Sequence, residues 1–136
     1  MEKKYKLTDE TIEVEGKALY RIEAWKDFCE IKKGDKGGFI ESEDNLSHEG
    51  KAWVYDDACV YDNAFVTDDA LVYDNARVYN DARLSDNSRV YENACVYGTS
   101  CLYDNARVCG NARVYGTARV TDDACVCGRV VRCHHR

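Results

Sequence analysis

Residues 52–126 repeat with a period of six, and this register never slips. Every unit has Ala or Ser followed two positions later by Val or Leu, as in Ala76 and Val78, and thirteen units run without an insertion. A short, fixed period is typical of stacked units that are each too small to bury their own apolar face. The sequence therefore predicts a solenoid that takes up most of the chain.

Each unit reads small, variable, aliphatic, usually Tyr, and then two turn residues, as in Ala76 to Asp81. Alternate side chains of a strand point to opposite faces, so the small and aliphatic residues share one face and the variable residue and Tyr share the other. The turn pairs, such as Asp-Asn or Gly-Thr, bend the chain because they tolerate left-handed backbone conformations. Each unit is thus predicted to be a short strand followed by a corner.

A longer period sets the number of strands in each coil. Thr67, Ser85 and Thr121 replace the usual Tyr, and they are separated by three, six and nine units. Cys109 and Cys127 replace it three units apart. A coil of only two units would place Thr67 and Thr121 on different sheets, since nine is odd. We therefore predict three strands per coil, an 18-residue repeat, which gives four to five coils.

The N-terminal part lacks this period. Alternating polar and apolar residues in the segments 11–15 and 18–25 flank a glycine-containing turn, which predicts a β-hairpin. We divide the chain into a capping segment of hairpin plus loop (1–50), a hexapeptide-repeat solenoid (51–131) and a tail (132–136). The cap should cover the apolar residues that point outward from the first units, since an open solenoid end exposes strand edges. These residues are Trp53, Phe65 and Leu71.

The segment from Gly34 to Gly50, together with the unit from Ala52 to Ala58 that follows it, resembles the lead-in of YdcK-type β-solenoid proteins. Such proteins are found in bacteria and in phage or prophage genomes. The resemblance covers nearly the whole chain. It implies an all-β fold, a single-stranded left-handed parallel β-helix of triangular section, and little chemistry. The handedness rests on the resemblance alone.

Composition excludes several classes of function. The formal net charge is -6, without the basic patch that nucleic-acid binding requires. No apolar run is long enough to span a membrane, and the first residues lack the apolar stretch of a signal peptide. We therefore expect a cytoplasmic protein that binds neither membranes nor nucleic acid directly. The resemblance implies that the cell is a bacterial host.

The eight cysteines are expected to be reduced in that compartment. Several of them gather with two histidines near the C-terminal end, which raises the alternative of a zinc site, but no C-x-x-C spacing supports one. We expect no metal and no cofactor. The residues of this group are Cys109, Cys125, Cys127, Cys133, His134 and His135.

An acyltransferase is the enzymatic alternative, because the broader hexapeptide-repeat superfamily includes acyl-CoA-dependent acyltransferases that use a general-base His. The histidines are His48, in the cap, and His134 and His135, in the tail, and none lies within the repeats. No loop interrupts the repeats to shape a site for an acyl donor. We therefore expect no catalysis and no catalytic residue.

The 18-residue register places tyrosines in a column on one face, flanked by arginines, and aspartates along one corner. Tyr and Arg are enriched at protein interfaces, whereas tyrosine stacking and turn-forming aspartates would equally well stabilise the coil itself. The residues predicted to bind a partner are Tyr61, Tyr79, Tyr97, Tyr115, Arg77, Arg113, Asp68, Asp86, Asp104 and Asp122.

These observations favour a non-catalytic module that binds a protein partner. Given the resemblance, one form of this hypothesis is a phage-encoded inhibitor of a host defence protein. The open C-terminal strand edge also predicts a homo-oligomer, a dimer or trimer. A purely structural, self-assembling solenoid is a further alternative.

Overall fold

An aliphatic residue at every sixth position produces coils of about 18 residues, and each coil adds one strand to each of three sheets. The computed structural model describes residues 3–127 and 130–133 and contains about five such turns, with no α-helix in this part of the chain. The predicted all-β solenoid with three-stranded, 18-residue coils is confirmed. Its left-handedness stays a prediction.

The first elements are the hairpin strands β1 (Tyr5–Val14) and β2 (Lys17–Ala24), strand β3 (Lys36–Ile40) and a 3-10 turn (Glu43–Asn45). The strands of the repeats are β4 (Trp53–Val54), β5 (Cys59–Val60), β6 (Phe65–Val66), β7 (Leu71–Val72), β8 (Arg77–Val78), β9 (Arg83–Leu84), β10 (Arg89–Val90), β11 (Cys95–Val96), β12 (Cys101–Leu102), β13 (Arg107–Cys109), β14 (Arg113–Gly116), β15 (Arg119–Val120), β16 (Cys125–Cys127) and β17 (Val130–Cys133).

The three sheets follow the coil order. One has eight strands in the order β1-β2-β3-β5-β8-β11-β14-β17, one has five (β4-β7-β10-β13-β16) and one has four (β6-β9-β12-β15). The pairings between β1, β2 and β3 are antiparallel, and the later ones are parallel. Val66 pairs with Leu84, and the Thr67 amide donates to the Leu84 carbonyl at 3.0 Å, so Thr67 stacks on Ser85 as predicted.

The parallel stack begins before the first repeat. Ile40 of β3 pairs with Val60, and Leu46 forms a parallel bridge with Val66. The first coil is therefore built by the segment that was expected only to cap the solenoid. Both pairings show that this coil is two positions longer than the later ones. The extra length hides it from a search for a six-residue period.

The core is the aliphatic column with the small column beside it. Every member of the aliphatic column from Val54 to Val126 is buried, with Val120 and Val126 the most exposed at 4%. Each buried Val side chain contributes about 1.5–3 kcal/mol relative to exposure. Ala124, in the last coil, is the exposed member of the small column. The rest of that column is buried.

Two side chains near the N-terminus close the first end of the core by donating to backbone carbonyls of the first coil. The buried Lys4 ammonium donates to the Ala52 carbonyl at 2.6 Å, and the Tyr5 hydroxyl donates to the Leu46 carbonyl at 2.6 Å. The Asn45 side-chain amide donates to the Ala64 carbonyl at 2.9 Å, as a backbone amide does in later coils. An unpaired buried carbonyl would cost about 1–3 kcal/mol.

The cap covers the outward apolar residues to different degrees. Trp53 is fully buried, with its ring 5.2 Å from that of Phe28 and 6.2 Å from that of Tyr5. Leu71 is half-buried against the same core. Phe65 is also half-buried, but it lines an open groove formed by repeat residues. Of these three residues, Trp53 alone is completely buried, so the prediction that the cap covers them is confirmed fully for Trp53 only.

Lys4 makes the stability of the cap depend on pH. Burial lowers the pKa of Lys4 from 10.5 to about 8, with a smaller contribution from the charge of Lys26. Between these values the unfolded chain binds more protons, so the free energy of unfolding should rise with pH across this window. Between pH 8 and 10, we expect the free energy of unfolding of the wild type to rise by about 2 kcal/mol relative to that of Lys4→Met. Urea unfolding at several pH values measures this difference.

The comparison isolates Lys4 because both proteins keep Tyr5, whose pKa burial raises. The exposed Lys6 provides a matched control, and Lys6→Met should run parallel to the wild type. If the free energy of unfolding had the same pH dependence in Lys4→Met and in the wild type, this account of the cap would be contradicted.

Candidate functional site

The predicted tyrosine column forms a continuous ladder of stacked rings. The ring centroids of Tyr61 and Tyr79 lie 5.0 Å apart, those of Tyr79 and Tyr97 lie 4.9 Å apart, and those of Tyr97 and Tyr115 lie 5.2 Å apart. Their planes differ by only 3 to 6°. The ladder follows from the parallel register, because residues one coil apart occupy equivalent strand positions.

The top of this tyrosine ladder is covered by the hairpin. Tyr61 has no exposed surface and packs in a cluster with Val14, Leu19 and Phe39. Its predicted position on an exposed face is therefore wrong. Tyr79 lies at the edge of this cluster and is half-buried, and burial raises its pKa to about 12.

Polar contacts from one arginine hold the hairpin in this place. Arg21 donates to the Gly37 carbonyl at 2.6 Å and forms an ion pair with Asp57 at 3.2 Å. Its guanidinium carbon also lies 4.3 Å from the ring centroid of Phe39. These contacts join β2 to the first corners of the solenoid, and the sequence pattern carries no signal for them.

Below the hairpin the ladder is accessible. Tyr97 and Tyr115 are half-buried, and Arg77 and Arg113, two positions before a ladder tyrosine, are exposed. Between these arginines the column carries Cys95, which is half-buried. The surface thus combines flat aromatic area with two guanidinium groups, which suits contact with an apolar segment carrying carboxylates.

A second face carries a shorter ladder. Tyr73 and Tyr91 stack at 4.9 Å with planes 2° apart, while Tyr55 meets Tyr73 edge-on at 6.3 Å. In this column Cys109 and Cys127 take the tyrosine positions, and the register places one directly over the other with their Cα atoms 4.5 Å apart, which is close enough for a disulfide. The expectation that the cysteines are reduced stays a prediction.

The aspartates of the predicted acidic corner serve the backbone. Asp68, Asp86, Asp104 and Asp122 all have positive φ, between 56 and 58°. The carboxylates of the first three each accept the amide of the aspartate one coil later: Asp86 to Asp68 at 3.0 Å, Asp104 to Asp86 at 2.9 Å, and Asp122 to Asp104 at 3.0 Å. Hydrogen bonds from the Thr121 hydroxyl and the Asp122 amide lower the pKa of Asp104.

The other two corners follow the same rule, so the acidic corner is not set apart by its geometry. Asp62 accepts the Asn80 amide, and Asn80 accepts the Gly98 amide, each at 3.1 Å. Asp56 accepts the Asp74 amide at 3.1 Å. Sequence reasoning identified these residues as turn formers but missed this hydrogen-bond ladder, which is marked by acceptor side chains that recur once per coil.

Both ring nitrogens of His48 are used inside the cap. Nδ1 accepts the Lys4 amide at 3.0 Å, and Nε2 lies 2.9 Å from a Glu43 carboxylate oxygen. This hydrogen bond to His48 lowers the pKa of Glu43. The ring also stacks on Tyr5 at 4.1 Å. These contacts support a packing role for His48, whereas His134 and His135 lie outside the described residues.

Comparison with known proteins supports the same architecture. Residues 70–86, 102–116 and 106–120 match a family model described as YdcK Beta solenoid repeat. The resemblance in the repeats is thereby confirmed. No curated protein matches the chain at a significant level. In the part of the chain that the structure describes, no helix is long and apolar enough to cross a membrane.

The corner ladder predicts a graded response at Asp86. Asp86→Ala removes the acceptor for the Asp104 amide and places a Cβ-bearing residue without a polar side chain at positive φ, so we expect a loss of about 2–3 kcal/mol. Asp86→Asn keeps a side-chain oxygen and tolerates this backbone conformation, so its loss should stay below about 1 kcal/mol. Chemical unfolding at neutral pH gives both values.

Asn87→Ala is the control, because Asn87 is exposed and joins the next coil through its backbone amide, which alanine keeps. If both substitutions lowered the free energy of unfolding equally, the negative charge of Asp86, and not its hydrogen bond to the Asp104 amide, would stabilise the fold.

Proposed function

Because the chain carries YdcK-type β-solenoid repeats, we propose that it is a non-catalytic binding module for a protein partner. The partner contacts the accessible part of the tyrosine ladder, Tyr79, Tyr97 and Tyr115, together with Arg77 and Arg113. This set departs from the sequence prediction by leaving out Tyr61, which the hairpin already covers.

The observation that carries this proposal is the docking of the hairpin on Tyr61. Val14 and Leu19 of the hairpin bury this ring completely, in a cluster that also reaches Tyr79. The first part of the ladder thus binds an apolar β-structure of the same chain. Tyr97 and Tyr115 continue the same stacked surface, and aromatic side chains offer large contact area at a small cost in conformational entropy.

Charge narrows the kind of partner. Burial raises the pKa of Tyr61 most strongly, the Glu15 carboxylate in the hairpin turn raises it further, and the charge of Arg77 lowers it. A segment that follows the hairpin along the ladder would meet Arg77 and Arg113, both exposed. We therefore propose a partner that presents an apolar strand or loop flanked by Asp or Glu, which guanidinium groups bind in a bidentate fashion.

A phage-encoded inhibitor that occupies a host defence protein in the cytoplasm is one form of this proposal, and its support is the family resemblance alone. The contacts of His48 with the Lys4 amide and Glu43 favour binding over acyl transfer, since both ring nitrogens are engaged. In the proposed binding mode, the acidic corner contributes long-range charge rather than direct contacts, because each of its first three carboxylates accepts the amide one coil later.

A second copy of the chain is the other candidate partner. Strands β15 and β16 are the last strands of their sheets among the described residues. A strand edge with unpaired amides and carbonyls favours pairing with another chain. The dimer or trimer expected from the sequence would then form through the C-terminal end, away from the accessible tyrosine ladder.

Substitution on the ladder should abolish partner binding while sparing the fold. Tyr97→Ala with Arg113→Glu removes a central ring and reverses one charge, and truncation of a Tyr or Arg hot spot typically costs about 2 kcal/mol or more of binding free energy. We expect this variant to recover at least about tenfold less partner than the wild type in a pull-down from bacterial lysate, quantified by mass spectrometry. Tyr91→Ala, on the second face, is the matched control.

Two outcomes would contradict the proposal. Equal recovery by the ladder variant and the wild type would remove the ladder from the interface. Loss of recovery by Tyr91→Ala alone would assign binding to the second face. Sedimentation of the purified protein tests the second copy as partner, because a dimer that pairs through the C-terminal end should persist in the ladder variant.

A further inference from the structure

Three cysteines meet at the C-terminal end of the second face. The Sγ atoms of Cys109, Cys125 and Cys127 all lie within 4.8 Å of one another. The sulfurs of Cys125 and Cys127 are 3.4 Å apart. We call these three residues the thiol cluster.

The parallel register explains why they meet. Cys125 and Cys127 lie two positions apart on β16 and therefore share its outward face. Cys109 pairs with Cys127 on the neighbouring strand, with their Cα atoms 4.5 Å apart. One strand thus supplies two thiols and the strand beneath it supplies the third.

The solenoid fold alone does not require this cluster. The position paired with Cys125 on the coil beneath is Arg107, and the position beneath Cys109 is Tyr91. The usual arginine and tyrosine are both replaced by cysteine in the last coil, and Cys109 extends the replacement to the coil before it. Single substitutions at scattered outward positions, such as the half-buried Cys95 and Cys101, produce no such group.

We propose that the reduced thiol cluster binds one soft metal ion, of the class of Zn²⁺, Cd²⁺ or Cu⁺, through three thiolates. Thiolate ligands select these ions, and Zn–S bonds are about 2.3 Å long. Three sulfurs around such an ion lie about 4 Å apart, so the observed spacing needs side-chain adjustment and no change of backbone. Cys109 is buried, while Cys125 and Cys127 are exposed, so a fourth position stays open to solvent.

Because Cys109 and Cys127 are close enough to form a disulfide, this site would depend on redox state. Reduction of the Cys109–Cys127 bond by two external thiols takes up two electrons and two protons, and it yields two protein thiols and one external disulfide. Binding of the ion then releases the protons of the three thiols. The oxidised form retains Cys125 as the one free thiol of the cluster. It therefore offers one ligand instead of three, and oxidation of the pair by an external disulfide, the reverse of this exchange, expels the ion.

Cadmium titration of the full chain tests the proposal. The protein is reduced, freed of reductant without oxygen and titrated with Cd²⁺ alone, while thiolate-to-metal charge-transfer absorbance in the ultraviolet is followed. We expect one Cd²⁺ per reduced chain and no such band in the protein oxidised at Cys109–Cys127. Cys125→Ser should weaken binding on the order of 100-fold, since even outer-shell changes at a metal site cost about 10–100-fold.

Cys101→Ser is the matched control, because Cys101 is a free, outward cysteine of another sheet, and it should bind Cd²⁺ as the wild type does. Circular dichroism checks that each variant folds. Wild-type affinity in Cys125→Ser, or loss of binding in Cys133→Ser with Cys125 intact, would overturn the proposed ligand set. Equal binding by oxidised and reduced protein would overturn the redox dependence.

Discussion

The whole structure depends on the hydrogen-bonded stacking of each 18-residue coil directly on the next. Val78 pairs with Val96, and Val96 pairs with Val114, so residues at equivalent positions of neighbouring coils lie side by side. Each column must therefore tolerate contact with itself. Valine on valine fills the core, alanine lets the walls approach, and tyrosine stacks in parallel on tyrosine.

The corners satisfy the same constraint in a different way. Asp86 adopts a left-handed backbone conformation, and its carboxylate accepts the amide of Asp104 at the same corner of the next coil. Glycine takes the acceptor position at Gly98, where an added Cβ would lie 2.8 Å from the Gly116 nitrogen. At the first coil no preceding coil exists, and Lys4, Tyr5 and Asn45 take part in closing that end. The N-terminal segment is therefore both a lid and the first turn of the solenoid.

The periodic part of the fold could be predicted because residues 18 positions apart pair in register, so each column must hold residues that pack against one another. The spacing of Thr67, Ser85 and Thr121 was enough to choose three walls over two. The position of the hairpin could not be predicted, since it depends on contacts of Arg21 with Gly37 and Asp57 that no repeat encodes. The burial of Tyr61 was missed for that reason. The stacking of Cys109 on Cys127 was predictable from the register, whereas the closeness of Cys125 to both required coordinates.

Nuclear Overhauser effects between tyrosine ring protons test the central claim most directly. In coils of three walls the rings of Tyr79 and Tyr97 stack at 4.9 Å, so strong cross-peaks should join them, while none should join Tyr79 to Tyr91 on the second face. Cross-peaks between Tyr79 and Tyr91, which are two repeat units apart, would indicate a coil of two walls. That result would contradict the register from which the tyrosine ladder, the corner hydrogen bonds and the thiol cluster all follow.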